Sequence, residues 1–106
     1  MVIRGAVYRV DFGDAERGHE QRGRRYAVVM SPSSMPWNVV TVVPTSTSAQ
    51  PAVFRPELDV MGIKTRFLVD QIRTIDVAYV NGDPVDYLER DDMAEVEHAV
   101  AHYLGL

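Results

Sequence analysis

Eight residues, 18–25 (GHEQRGRR), form the part of the sequence best suited to chemistry on an anion. They include three arginines and stand directly before the apolar run at 26–30. Guanidinium groups present forked donors that match phosphate oxygens, and they keep their charge at any working pH. Arg25 stands at the root of the expected strand, where the backbone is held, whereas Arg22 and Arg24 lie in or near a polar stretch. Arg25 is therefore the arginine best placed to act on a phosphate, although the run by itself favours a solvated basic loop.

Two further segments place polar groups at the ends of strand-like runs. In residues 42–48 (VVPTSTS), four hydroxyl residues follow a β-branched run, and we expect Pro44 to end the sheet pairing and leave the hydroxyls at a rim. A simple polar turn is the alternative. Residues 70–76 (DQIRTID) carry polar and charged groups within a strand-like pattern. There the alternative is a partly exposed strand with a contact between Asp70 and Arg73.

Other patterns in the chain indicate no further chemistry. Asp11-Phe12-Gly13 spells a kinase triplet, but 106 residues cannot form a kinase. His98 and His102 have the spacing of two metal ligands on a helix, yet no third ligand is placed by pattern, and we expect a solvated pair. The chain has no cysteine, so it offers no thiolate, and it has no glycine-rich phosphate loop. We expect neither a metal nor another cofactor.

Composition predicts one globular domain spanning residues 1–106. The chain is 46% hydrophobic and 25% charged, with a net charge of −4. Six of the eleven basic residues fall within residues 1–25, whereas residues 82–106 hold seven acids and one arginine. One face can therefore accept a polyanion, although charge alone favours two solvated faces. No signal peptide is apparent, and no apolar run approaches the ~20 residues needed to cross a bilayer. We expect a cytoplasmic protein without membrane contact.

The periodicity predicts a mainly β fold closed by a C-terminal helix (a β or α+β class), in the form of a small, strongly twisted barrel. We expect strands at 7–12, 26–30, 38–43, 58–60, 66–69, 71–75 and 85–88. Residues 14–24 read as a long exposed loop, and residues 77–80 as one helical turn that ends at Asn81-Gly82. From about Asp91 the period becomes helical, with a core face formed by Met93, Val96, Val100, Tyr103 and Leu104.

Four segments in order resemble the MazF/PemK family of toxin ribonucleases. Residues 4–11 (RGAVYRVD) resemble that family's opening, residues 23–29 (GRRYAVV) its second strand, residues 42–47 (VVPTST) its hydroxyl segment, and residues 70–75 (DQIRTI) a later strand. The resemblance implies a small SH3-like barrel of the CcdB/PemK/MazF type. Two residues depart from the pattern: Tyr26 stands where the family has proline, and Ser46 where it has threonine.

The resemblance implies a sequence-specific, metal-independent endoribonuclease that cleaves single-stranded RNA (mRNA, tRNA or rRNA) and inhibits translation. The family's catalytic pair falls on Arg25 and Ser46, with Thr45 and Thr47 as near alternatives, and Glu20 is a candidate base beside His19 in the polar loop. Contacts to RNA are expected from a wider set of residues: Arg22, Arg24, Thr45, Thr47, Gln71, Arg73 and Trp37. The expected partners are a second copy of the chain, forming a homodimer, and a MazE-like antitoxin that occupies the basic groove.

Two other functions remain open at this point. The CcdB family builds a related barrel into a toxin that binds DNA gyrase and has no enzymatic activity. Alternatively, the chain is a degenerate family member that binds RNA or its partner but no longer cuts.

Overall fold

The centre of the fold is a sheet whose strands are apolar on both faces. The computed structural model describes residues 2–13, 23–33 and 38–106. Within these, β1 (Ala6–Asp11), β2 (Arg24–Val29) and β3 (Val39–Ser46) pair antiparallel to one another in chain order. Successive side chains of a strand point to opposite faces, so these strands feed two separate buried clusters. Val7, Val28 and Val43 belong to one cluster, and Val10 and Val29 to the other.

Four shorter strands and one helix complete the chain. The strands are β4 (Glu57–Val60), β5 (Ile63–Phe67), β6 (Arg73–Asp76) and β7 (Val80–Tyr87), and the helix α1 spans Arg90–Leu104. The sheet order is β4-β5-β3-β2-β1-β7, with β6 paired to β3. This curved half-barrel with one C-terminal helix confirms the predicted fold class.

The helix covers one face of the sheet with fewer residues than its sequence pattern predicts. Met93 and Val96 are buried, as expected, and Ala99 joins them in the cluster. The prediction that Tyr103 and Leu104 lie on the core face is wrong, since they are 41% and 52% exposed. Tyr103 contacts the Phe54 ring edge-on instead, with 4.9 Å between the ring centroids.

Pro44 does not end the sheet pairing, contrary to the expectation from sequence. It pairs with Ala27 of β2, and its carbonyl accepts a hydrogen bond from the Leu68 backbone N–H at 2.8 Å. On the other edge of β3, residues 39–42 pair with β6 and residues 45–46 pair with β5. The proline therefore lies where β3 changes partner, and the strand continues to Ser46.

Three other boundaries differ from the pattern in the sequence. The strand expected at 66–69 ends at Phe67 and gives way to a 3-10 turn, Val69–Gln71, so the next strand begins at Arg73 instead of 71. The helical turn predicted near 77–80 is present at Val77–Tyr79. The chain then enters β7 directly, and Asn81-Gly82 lie within this strand because β1 supplies pairing partners for it.

The base of the segment between β1 and β2 is closed by two glycines. The Gly23 N–H donates to the Gly13 carbonyl at 2.6 Å, and the Phe12 N–H donates to the Gly23 carbonyl at 2.9 Å. Both glycines adopt positive φ, at 72° and 74°, a region that residues with a Cβ rarely enter. This closure fixes the point at which β2 starts and therefore the position of Arg24 and Arg25.

An ion pair fastens the segment that follows β3. Arg55 donates from Nε and Nη2 to the two carboxylate oxygens of Asp70, at 3.0 and 2.8 Å, and from Nη1 to the Gln50 carbonyl at 3.2 Å. The hydrogen bonds from Arg55 lower the pKa of Asp70 below its usual value, and they raise the pKa of Arg55. The partner of Asp70 is thus a residue that the sequence patterns did not single out.

Candidate active-site cleft

A cleft of about 770 Å³ opens where β2 begins and β3 ends. Long side chains at these strand ends reach it from both faces of the sheet. Five residues predicted from the sequence line it together, and three others join them: Arg24, Arg25, Thr45, Ser46 and Thr47, with Arg9, Tyr26 and Asn81.

The register of the central strands brings Arg25 and Ser46 to the same end of the sheet. Ala27 pairs with Pro44 and Val28 with Val43, and the same register continued by two residues sets Arg25 across from Ser46. Arg25 is also paired with Val10 of β1, so its backbone is held on that side as well. The Arg25 side chain is exposed, and Ser46 is half-buried.

Three arginines of the cleft have no carboxylate partner in the part of the chain that the structure describes. Arg9, Arg24 and Arg25 are all exposed and form no ion pair there. Arginines elsewhere on the surface do have such partners: Arg4 with Glu97 at 2.7 Å, Arg55 with Asp70 at 2.8 Å and Arg66 with Glu57 at 3.4 Å. The cleft therefore concentrates positive charge and unused N–H donors in a chain of net negative charge, an arrangement suited to a polyanion.

The three hydroxyl residues of the cleft differ in what their oxygen atoms can do. Thr45 is 4% exposed, and its Oγ1 donates to the Tyr26 carbonyl at 2.8 Å, so its proton is already engaged. The Ser46 Oγ accepts from the Ser48 backbone N–H at 3.2 Å, which orients the oxygen and leaves its own proton free to donate. Thr47 is exposed. Ser46 thus combines a held oxygen with an available proton beside Arg25.

Two predicted RNA contacts are not among the residues that line this cleft. Arg73 is half-buried with its guanidinium 5.1 Å from the ring centroid of Phe12, and Gln71 ends a 3-10 turn. Both residues make further contacts of their own. Glu20, Arg22 and Trp37, as well as His19, lie outside the described residues.

The histidines of the helix are exposed, as expected from their spacing. His102 nonetheless contacts the Phe54 ring edge-on, with 5.4 Å between the ring centroids. Within residues 2–13, 23–33 and 38–106, no group of three or more potential metal ligands is found. No helix in these ranges has the length and apolarity required to cross a membrane.

Three residues of the cleft were not predicted as site residues from the sequence. Arg9 could have been found from the pattern of β1, since it is a charged residue between the apolar residues Tyr8 and Val10 and a strand places such a side chain on the other face from theirs. Asn81 read as part of a turn, and its presence at the cleft depends on pairing between β7 and β1. Tyr26 departs from the family motif, and no pattern in the sequence places its ring in the cleft.

Comparisons with known proteins agree on the family. The family model described as "PemK-like, MazF-like toxin of type II toxin-antitoxin system" matches residues 3–104. The chain is 87% identical over 106 residues to a candidate toxin of Mycobacterium tuberculosis (strain H37Rv), with 100% of both chains covered. It is 35% identical over 102 residues to Endoribonuclease PemK of Escherichia coli, covering 88% of this chain and 74% of that protein.

Solved structures share the fold. MazF from Deinococcus radiodurans superposes with a TM-score of 0.86 at 26% identity, covering 99% of this chain and 97% of that one. An endoribonuclease from a mycobacterial species, solved in complex with its cognate antitoxin, superposes with a TM-score of 0.82 at 21% identity, covering 100% and 97% of the two chains.

Proposed function

We propose that this chain, which belongs to the PemK-like, MazF-like family of type II toxins, is an endoribonuclease. It cuts single-stranded RNA in a sequence-specific manner without a metal ion and thereby inhibits translation. The observation that carries the proposal is the cleft that joins Arg25 and Ser46 with two further arginines free of carboxylate partners among the described residues. The E. coli relative, named as an endoribonuclease, supports the reaction class.

The reaction proposed is attack by a ribose 2′-hydroxyl on the adjacent phosphorus. The bond from phosphorus to the 5′-oxygen of the next nucleotide breaks, which leaves a 2′,3′-cyclic phosphate and a free 5′-hydroxyl. Negative charge grows on the non-bridging oxygens as the phosphorane forms, and Arg25 stabilises it with forked N–H donors. Ser46 donates its free proton to one of the same oxygens.

The two proton transfers require a base and an acid besides Arg25. An arginine with a pKa above about 12 is a poor base. The described lining of the cleft contains no aspartate, glutamate or histidine. Glu20 therefore remains our candidate base, because it stands six residues before Tyr26 of β2 in the sequence.

We also propose a homodimer and an antitoxin whose acidic segment occupies the cleft in place of RNA. The three cleft arginines would supply the donors for that segment, and the fold shared with an antitoxin-bound endoribonuclease supports this kind of partner. Large apolar side chains exposed on the surface, such as Tyr79 and Tyr87, are of the type that an assembly covers.

A cleavage assay in EDTA tests the enzymatic proposal. Wild-type protein is expected to cut a pool of single-stranded RNA and to leave 5′-hydroxyl ends, which a ligation specific for that end group detects. Arg25→Ala is expected to lower kcat by about 10³-fold or more, the scale of an arginine that stabilises a phosphoryl-transfer transition state. Arg90→Ala, at the exposed start of α1, is the matched control for loss of one arginine.

Two results would contradict the proposal in different ways. Cutting by Arg25→Ala at the wild-type rate would remove Arg25 from the mechanism. Failure of the wild-type protein to cut any RNA, together with binding to DNA gyrase, would replace the nuclease with a CcdB-like toxin.

A further inference from the structure

A row of three side chains lines the same cleft from the face of the sheet opposite to that of Arg25, because Arg25 and Tyr26 are consecutive residues of β2. Asn81 of β7 pairs with Arg9 of β1, and Arg9 pairs with Tyr26 of β2. Residues directly opposite in an antiparallel ladder project from the same face of the sheet. Neighbouring strands lie about 4.8 Å apart, so the row spans about 10 Å, which is long enough to hold one nucleobase.

Arg9 and Tyr26 form a cation–π contact within this row. The Arg9 guanidinium lies 5.9 Å from the centroid of the Tyr26 ring, at the outer range of a cation–π contact. Tyr26 is half-buried and packs against the core cluster of Val7, Val28 and Val43, so the ring is fixed from behind. Arg9 is exposed and has no ion pair among the described residues. The guanidinium therefore lies near an aromatic ring and is accessible to a ligand.

A bulge in β7 turns Asn81 towards the cleft. From Arg9 to Val7 is two residues along β1, whereas the paired positions Asn81 and Asp86 are five residues apart, so β7 holds three extra residues there. Bulges of this kind bend a strand and re-aim a side chain, often next to an active site. Gly82, with φ of 70°, begins the bulge.

The side-chain amide of Asn81 is suited to reading a base. Asn81 is exposed in the cleft, and no hydrogen bond of its side chain is found within the ranges that the structure describes. An amide offers a donor and an acceptor side by side, the combination that matches the edge of a nucleobase. Single-stranded RNA is recognised through splayed bases that stack on aromatic rings or guanidinium planes and are read along their edges.

We propose that Arg9, Tyr26 and Asn81 form a subsite for one nucleobase next to the scissile phosphate. The base stacks on the Arg9 guanidinium, Asn81 reads its edge, and Tyr26 is a positioning residue that holds Arg9 flat. The inference rests on the proposed ribonuclease function and adds to it the residues that set base preference at one position.

The first test measures base preference in cleavage. A random-sequence RNA pool is cut, and sequencing of the new ends gives the base distribution at each position around the cut. Asn81→Ala is expected to weaken the preference at a single flanking position by about tenfold or more. Arg9→Lys, which keeps the charge but loses the planar group, is expected to raise KM and leave kcat within about twofold.

Tyr26 is tested by a pair of substitutions that separates the ring from the hydroxyl. Tyr26→Leu is expected to raise KM as Arg9→Lys does, and Tyr26→Phe to keep the wild-type KM, because only the ring supports the guanidinium. Arg90→Lys, on α1, is the matched control and keeps the wild-type pattern. Unchanged preference at every position in Asn81→Ala, or identical behaviour of Tyr26→Leu and Tyr26→Phe, would overturn the subsite.

A binding experiment separates this inference from the ribonuclease proposal. The Arg25→Ala protein, alone or with Asn81→Ala added, is titrated into fluorescent 2′-O-methyl RNA oligonucleotides that differ at one position. Base-dependent binding that needs Asn81, together with a wild-type protein that never cuts RNA, would uphold the subsite and defeat the catalytic proposal. RNA cutting by the wild type, with no Asn81-dependent preference in either assay, would defeat the subsite and uphold catalysis.

Discussion

Replacement of Asp70 by asparagine is expected to destabilise the protein through the ion pair with Arg55. That pair joins the segment after β3, which follows the catalytic candidate Ser46, to the 3-10 turn at Val69–Gln71. Two hydrogen bonds of 3.0 and 2.8 Å link the guanidinium to the carboxylate. Asparagine has one acceptor oxygen in place of two and turns an NH₂ group towards the guanidinium, so one bond is lost and the other loses its charge assistance.

The size of the effect follows from the partial burial of the pair. The two side chains are 19% and 28% exposed. Hydrogen bonds to charged groups contribute about 1.5–3 kcal/mol when shielded, whereas exposed ion pairs contribute about 0–1 kcal/mol. An intermediate loss of about 1–2 kcal/mol in the free energy of unfolding is therefore expected, or about 1 M in the urea midpoint for a domain of this size.

The effect is expected to depend on pH, because the pKa of Asp70 is lowered in the folded protein by its hydrogen bonds with Arg55. A carboxylate with a depressed pKa contributes its full stabilisation above its unfolded pKa, about 3.9, and loses it as the pH falls through the folded pKa. The difference between wild type and Asp70→Asn is thus expected at pH 7 and shrinks below about pH 4.

Urea unfolding followed by circular dichroism at pH 7 and pH 3 measures both quantities. Asp59→Asn is the matched control, since its pair with Lys64 is 3.7 Å long with side chains 65% and 76% exposed, and it is expected to change the midpoint little. Equal midpoints for wild type and Asp70→Asn at pH 7 would refute the energetic argument. A loss of equal size at pH 3 would refute the assignment to an ionised Asp70.

Two predictions concern the reaction. Ser46→Ala is expected to lower kcat by about 10²–10³-fold, as for loss of one donor to a developing oxyanion. Ser46→Thr keeps the hydroxyl, and its kcat is expected to stay within about tenfold of wild type. A much larger increase of kcat in Ser46→Thr would show that the natural serine limits the enzyme. Arg24→Ala is expected to weaken RNA binding almost equally across sequences and to reduce the slope of log affinity against log salt by about 0.7, measured by anisotropy between 50 and 200 mM salt; an unchanged slope would exclude a phosphate contact.

The central strands were predictable because their signal is local. Alternation in β1 and the β-branched runs of β2 and β3 reflect burial on both faces of the sheet, and burial acts on each residue separately. Arg25 and Ser46 line the same cleft, as predicted from their positions at the start of one strand and the end of the next and from the family resemblance. That part of the site is carried by register, which apolar patterning fixes.

The remainder depends on contacts between distant parts of the chain. Asn81-Gly82 has the local preferences of a turn, but pairing with Arg9 draws the segment into β7. The same holds for Pro44, whose carbonyl meets Leu68, and for Arg55 and Asp70, which share no period along the sequence. In each case a tertiary partner outweighs a local propensity, and a single sequence does not reveal the partner.

The hydrogen bond between Gly13 and Gly23 allows the residues between them to change in evolution independently of the strands β1 and β2. Because these glycines join the ends of the intervening stretch directly, the loop-closure cost of lengthening it is small, at about 0.6 kcal/mol per doubling of its length. Insertions and exchanges there leave the register of Arg24 and Arg25 intact. Related toxins can therefore differ in the length and sequence of residues 14–22 and still present Arg24 and Arg25 at the same place on the sheet.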